Sequence, residues 1–275
     1  MVYVIVDGRH GRTVGRVTRG EMTYWVRRLI VANVVVFVVT YAVPELYRAW
    51  MFVPAWVLVR PWTVVTYMFL HAGFGHLFFN MIGLFFFGPR LEVRLGSRAF
   101  LQLYFLSGIG GAVLSFFFAP MAAVVGASGA VYGIMYGFAR FWPTDDIYIW
   151  GVLPIQARFF VAGLATLSLY FGVVGAGGGI AHFAHLGGFV GGWAYLRWWS
   201  RRRQKTAWAT AQKAAEIVSG AMRREEEQWR RIRLEMLHEI NRAEVERILH
   251  KLDEAGARSL TPDERAFMNR MAGGI

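Results

Sequence analysis

Ser128 stands in the stretch Gly126-Ala127-Ser128-Gly129-Ala130-Val131-Tyr132-Gly133, inside a run from Ala99 to Ala139 that holds no Asp, Glu, Lys or Arg. A hydroxyl in such a run often does no more than bond a backbone carbonyl one turn back. It becomes a nucleophile only if a base reaches it. The other polar side chains in apolar surroundings are His71, His76 and Asn80 in one stretch and His182 and His185 in another. An ionisable group in lipid is costly, which makes each a functional candidate. Taken singly, each can also be a structural tie between helices.

The spacing narrows the choice. His76 and Asn80 are four apart, so on a helix they lie one above the other and can donate into one small space. Ser128 and Tyr132 share a helix face by the same rule. Gly129, Gly133 and Gly137 form a small-residue stripe beside Ser128, and His185, Gly188 and Gly192 form another. Stripes of small residues let helices approach closely in lipid. Packed face to face, they would bring Ser128 and His185 within hydrogen-bond reach. His185 would take the Ser128 proton as the hydroxyl attacks a carbonyl, then return it to the leaving amine. No acidic residue is near enough to be a third member, so the expectation is a dyad, with Tyr132 orienting the imidazole by stacking. His76, Asn80 and the Ser128 backbone N–H would stabilise the oxyanion. Hydrolysis also requires water, so the site is expected in a cavity open to the outer face.

These side chains need helices in a membrane to position them. Hydrophobic residues make up 56% of the 275-residue chain, and the mean hydropathy is +0.37. Charge-free spans run from Pro61 to Pro89, Ala99 to Ala139 and Phe159 to Leu196, each long enough to cross a bilayer at least once. The expected spans are roughly 26–43, 65–87, two within 99–139 broken around 119–126, 159–174 and 181–199. A Trp- and Phe-rich connector over 44–61 suits the membrane interface. A charged turn from Pro89 to Arg98 follows the second span. A turn holding Pro143, Asp145, Asp146 and Arg158 precedes the fifth, and the cluster Gly175 to Gly179 precedes the sixth. No cleavable signal peptide is expected; the segment from Leu29 reads as an uncleaved first span.

The net charge of +12 does not imply nucleic acid, because the basic residues flank apolar spans or mix with acids in the tail. Arginines crowd the start, the turn at Arg90, Arg94 and Arg98, and the end, which by the positive-inside rule puts both termini in the cytoplasm. The chain has no Cys, which excludes disulfides, thiolate metal sites and a cysteine nucleophile. Residues 1 to about 24 are polar, with an Asp7-Gly8 turn between two short alternating runs that suit a small hairpin. From Ala207 to about Ala255 a charged helix is expected, with Ile232, Met236, Ile240, Val245, Ile248, Leu249 and Leu252 as its apolar positions. Thr261-Pro262-Asp263-Glu264 announces a second short helix through a capping box.

With these residues in place the chain resembles the rhomboid intramembrane serine proteases of the bacterial six-span type. The matching motifs are His71-Ala-Gly-Phe-Gly-His76-Leu-Phe-Phe-Asn80, Gly126-Ala-Ser128-Gly129 and Ala181-His182-Phe-Ala-His185-Leu-Gly-Gly188, in the family's order, with the Glu92-Val-Arg94-Leu-Gly-Ser turn also similar. The resemblance spans roughly 26–200. It implies an all-α membrane protein, a six-transmembrane-helix bundle of the rhomboid type with a small helical C-terminal appendage. The corresponding parts are a cytoplasmic N-terminal segment (1–25), a six-span protease domain (26–200) and a cytoplasmic helical tail (201–275).

The resemblance further implies a serine endopeptidase of a bacterial-type inner membrane. It would act on transmembrane segments of other membrane proteins near their outer ends, often after a small residue, with the fifth span as a lateral gate. The implied site has Ser128 and His185 as catalytic dyad and His76 and Asn80 in the oxyanion hole. Tyr132, His71, Gly126, Gly129, Gly188 and Gly192 support it, and neither metal nor cofactor takes part. One departure is Thr63 after Trp62, where a number of members have Arg. The segment from about Arg242 to Met271 is similar to a short helical piece appended to some bacterial members. Two rivals stand beside this reading. His71, His76, His182 and His185 could converge on a metal, though no carboxylate or thiol joins them. A catalytically dead relative would bind transmembrane clients without cutting.

Overall fold

The computed structural model describes residues 3–6, 13–17, 22–149, 151–175 and 180–273. Ten α-helices are described: α1 (Tyr24–Ala42), α2 (Pro44–Trp50), α3 (Thr63–Thr66), α4 (Phe74–Leu95), α5 (Ser97–Phe118), α6 (Ser128–Phe141), α7 (Ala157–Val174), α8 (Ile180–Arg230), α9 (Glu239–Ala255) and α10 (Pro262–Gly273). Two short antiparallel hairpins accompany them, β1 (Tyr3–Val6) with β2 (Thr13–Val17) and β3 (Asp146–Ile149) with β4 (Leu153–Gln156). The expected Asp7-Gly8 turn and positions 176–179 of the glycine cluster lie outside the described residues. Backbone contacts divide the chain into two compact units, Met1–Ser200 and Arg201–Ile275.

In the first unit, α1, α5 and α7 are long and apolar enough to cross a membrane. The pair Thr63–Phe69 and Phe74–Leu95, bent by 94°, adds up to a fourth crossing if taken as one broken span. The protein is therefore an all-α integral membrane protein, and the described residues hold three to four candidate spans by length and composition. The helix α6, with 14 residues, is too short to count in that way. It is instead the most enclosed element, with Ala130, Val131, Ile134, Met135, Phe138 and Ala139 all buried in the core. A helix apolar on every side belongs in the middle of a bundle.

Three sequence expectations change here. The second span is not one straight helix, because Thr63–Phe69 and α4 meet at the 94° bend. The charged run from Pro89 is not a turn: α4 carries Pro89 inside it and ends only at Leu95. The turn before the fifth span contains the β3–β4 hairpin.

Glu92 explains why the end of α4 holds its charge. The N-cap of α1, Thr23, makes no side-chain cap, so the first N–H groups of α1 would be orphaned. The buried Glu92 carboxylate accepts from the N–H groups of Trp25 and Val26 and from the hydroxyls of Thr23 and Ser97. Such charge-assisted bonds contribute about 1.5–3 kcal/mol each. On the same side of the bundle Arg90 ion-pairs with Asp145 and lies over the Trp142 ring.

The second unit has its own core of Trp229, Ile232, Val245, Ile248, Leu252, Leu260 and Met268. The single helix expected across 207–255 is broken: α8 ends at Arg230 and α9 begins at Glu239. Ile232 is buried as anticipated, whereas Met236 and Ile240 are exposed. The capping box forms as read from the sequence, with the Thr261 N–H donating to Glu264 and the Glu264 N–H to the Thr261 hydroxyl.

Candidate active site

Ser128 is the first residue of α6 and is half-buried. The chain leading to it is pinned from two sides. Phe52 and Val124 exchange both backbone hydrogen bonds, an isolated antiparallel bridge between the first connector and this loop. The Gly126 N–H donates to Tyr67 O at 2.9 Å, and the Tyr67 hydroxyl donates to Gly108 O on α5 at 2.7 Å. The N–H groups of Ser128, Gly129 and Ala130 have no acceptor among the described residues. They are the orphan donors of a helix start, where the macrodipole favours negative charge.

Gly126 is required for two reasons. Its φ is +118°, and a Cβ there would lie 2.6 Å from Cε1 and 2.7 Å from Nε2 of His76. The His76 ring thus lies against the serine loop although the two are distant in sequence. His76 Nδ1 accepts the Ala72 N–H at 3.4 Å. That bond assigns the proton of a neutral ring to Nε2, the atom nearer Gly126. Asn80 is buried one turn along α4, and its amide donates to His76 O at 2.8 Å. One of its two N–H donors is spent locally and one remains. His71 meets His76 edge-on, 5.1 Å between centroids.

His185 lies on α8. Its ring stacks on Tyr132 with centroids 4.2 Å apart and planes 16° apart. Phe189 packs on the other part of Tyr132, at 5.0 Å. His185 Nδ1 is buried with no partner among the described residues, so no carboxylate holds that nitrogen there. Ser128 and His185 are not hydrogen-bonded to each other in this arrangement. Catalytic hydrogen bonds are commonly long before substrate binds and tighten afterwards. His182 packs against Phe171 of α7 at 5.4 Å and meets His185 edge-on at 6.0 Å between centroids.

The glycine stripes do meet, in part. A Cβ on Gly188 would lie 2.0 Å from Gly129 O, and one on Gly192 would lie 3.0 Å from Gly133 Cα. Gly137 differs: it sits beneath the side chains of Leu91, Leu103 and Leu196 rather than against the α8 backbone. Sequence reasoning missed the other neighbour of α8. Gly187 and Gly191 pack on Gly110 of α5, with a Gly187 Cβ only 2.2 Å from Gly110 O. The signal was available in Gly108, Gly110 and Gly111, which crowd one stretch of α5.

A cavity of about 410 Å³ is lined by Thr40, Tyr41, Tyr47, His71 and Gly73 rather than by Ser128 or His185. Among the described residues no group of three or more His, Asp or Glu side chains is arranged to hold a metal ion.

Comparison with known proteins gives the context. The family model described as "Rhomboid domain" matches residues 59–202. The chain is 34% identical to Rhomboid-like protease 3 of Toxoplasma gondii, over 54% of this chain and 56% of that protein. It is 28% identical to Rhomboid protein 1, mitochondrial, of Saccharomyces cerevisiae, over 62% of this chain and 52% of the relative. It is 46% identical to Putative rhomboid protease YdcA of Bacillus subtilis, over 26% of this chain and 37% of the relative. The chain thus spans little more than half the length of these relatives at most.

Proposed function

This chain belongs to the rhomboid family, and we propose that it is an intramembrane serine endopeptidase acting on transmembrane segments of other membrane proteins. The observation that carries the reading is the position of His185, flat on Tyr132 one helical turn from Ser128. Ser128 Oγ attacks the scissile carbonyl while His185 accepts its proton. The protonated imidazole then gives the proton to the leaving amine, and water releases the acyl group by the reverse route. His185 Nδ1, without a partner among the described residues, fits a dyad without an acid. Buried in a low-dielectric site, the pair works by proximity and by stabilisation of the oxyanion.

Three donors are available for that charge: His76 Nε2–H, the second Asn80 N–H and the Ser128 backbone N–H. Gly126, Gly129, Gly188 and Gly192 support the site by allowing backbones and the His76 ring to approach, and His71 packs behind His76. We read residues 26–200 as a six-span domain, counting α6 and the first part of α8 as spans. Residues 1–25 and 201–275 are then cytoplasmic, in a bacterial-type inner membrane. The helix α7 serves as the lateral gate for a transmembrane substrate. It is an apolar helix of 18 residues with little of its surface buried inside the bundle.

The test is cleavage of a model transmembrane substrate by the purified full chain in detergent. Ser128→Ala and His185→Ala are expected to abolish cleavage, His182→Ala to retain most of it, and chelator to leave it unchanged. Cleavage by Ser128→Ala would sink the proposal. A bound but uncut substrate with the intact chain would favour a client-binding relative instead.

A further inference from the structure

The β3–β4 hairpin lies at the far end of α6 from Ser128 and leads directly into α7, which begins at the residue after β4. Its base is tied to the start of α7: from that helix the Ala157 N–H donates to Asp145 O at 2.8 Å and the Arg158 N–H to Pro143 O at 3.1 Å, both acceptors in the connector after α6. Register pairs Ile147 with Ile155 and Tyr148 with Pro154. Alternate residues of a strand face opposite sides, and the two sides here differ in surroundings. Ile147 packs against the core of the helical bundle, so the hairpin lies along the bundle rather than standing off into water. Tyr148 and Pro154, on the other side, are exposed, as are Val152 and Leu153 at the tip; Val152 is 81% exposed.

An apolar outward face needs an occupant. The surroundings mark the level as a bilayer boundary. Arg90 lies over Trp142 at 4.0 Å, Arg94 over Phe141 at 4.4 Å and Arg158 over Phe159 at 4.6 Å. Arginine with aromatic rings at the ends of apolar helices is the pattern of the headgroup layer, where cations meet phosphate and rings sit half in hydrocarbon. Charged and polar groups, Asp145, Asp146, Gln156 and Arg158, gather at the hairpin base, and apolar ones at the outward face and tip.

We propose that Tyr148 and Pro154 on the outward face, with Val152 at the tip, form a lipid-contacting wedge. It is seated in the phospholipid headgroup–acyl boundary and anchors the start of α7. The occupant is phospholipid, and the inference does not rest on the proposed peptidase activity.

The chain has no cysteine, so Val152→Cys and, separately, Tyr148→Cys each give a single site for an environment-sensitive fluorophore. The full chain is reconstituted into vesicles of phosphatidylcholine and phosphatidylglycerol, with Ser219→Cys on the exposed part of α8 as a water-facing reference. Both hairpin labels are expected to emit to the blue of the reference. Lipids with a nitroxide near the headgroup are expected to quench them severalfold more strongly than aqueous iodide does. Iodide quenching equal to that of the Ser219 label, at either position, overturns the proposal. Protection from both quenchers also overturns it, because it means that protein rather than lipid covers the face.

Discussion

His185 and Tyr132 stack with ring centroids 4.2 Å apart and planes 16° apart, which fixes the imidazole of α8 against the helix that Ser128 begins. Stacked aromatic pairs contribute about 0.5–1.5 kcal/mol beyond their buried area, enough to hold one ring orientation. Tyr132→Phe keeps the ring and is expected to retain most of kcat. Tyr132→Ala removes it, with kcat falling about tenfold for about 1.4 kcal/mol of lost positioning. Steady-state cleavage assays on both variants decide this; equal loss in the two would assign the effect to the hydroxyl.

The proposed oxyanion donors should be unequal. His76 presents Nε2 towards the serine loop, whereas Asn80 spends one N–H on His76 O. Loss of a full oxyanion donor costs about 100- to 1,000-fold in kcat. His76→Ala is expected in that range, and Asn80→Ala below it, with KM little changed in both. A larger loss for Asn80→Ala than for His76→Ala would contradict the assigned donors.

Close packing of α6 on α8 leaves no room for a methyl group. Gly188→Ala would press a Cβ to within 2.0 Å of Gly129 O, where overpacking costs about 1–3 kcal/mol or more. The unfolding midpoint should fall clearly. Gly163→Ala on α7 meets nothing within 4 Å and should leave the midpoint unchanged or slightly raised. Thermal unfolding of the purified chain in detergent compares them.

The tail carries a pH dependence of its own. The Lys251 ammonium, the Thr261 N–H and the Arg247 guanidinium, in that order, hold the Glu264 carboxyl down to about 2 from its ordinary 4.5. A depressed carboxyl stabilises the fold fully above its unfolded pKa and loses that contribution as pH falls through its folded pKa. Between pH 4.5 and about 2 the tail should therefore loosen, modestly because solvent screens exposed ion pairs. Pepsin, which works in this range, should cut the tail of the full chain faster as pH falls. For Glu264→Gln, compared at each pH, the dependence should flatten; an identical pH profile for both would rule out Glu264 as the titrating group.

Much of the local arrangement was legible before any fold was known. Four-residue spacing put His76 over Asn80 and Ser128 beside Tyr132, and the capping box at Thr261 formed as written. The small residues at Gly129, Gly133, Gly188 and Gly192 announced a close helix contact. These readings rest on the helix repeat, which is a property of the chain within a few residues.

What the residue pattern left open is which surface each face meets. Lipid is as apolar as Leu, so hydrophobic pattern does not tell a lipid-facing side from a helix-facing one. The tertiary structure decided that Gly137 lies under three leucines and that Gly187 and Gly191 pack on α5. It also decided that the His76 ring rests on Gly126 and that Glu92 caps a helix more than sixty residues away in sequence. Each of these joins groups distant in sequence, through packing and hydrogen bonds that local spacing does not encode. Residue type and spacing determined the chemistry available to Ser128 and His185; long-range packing decided their neighbours.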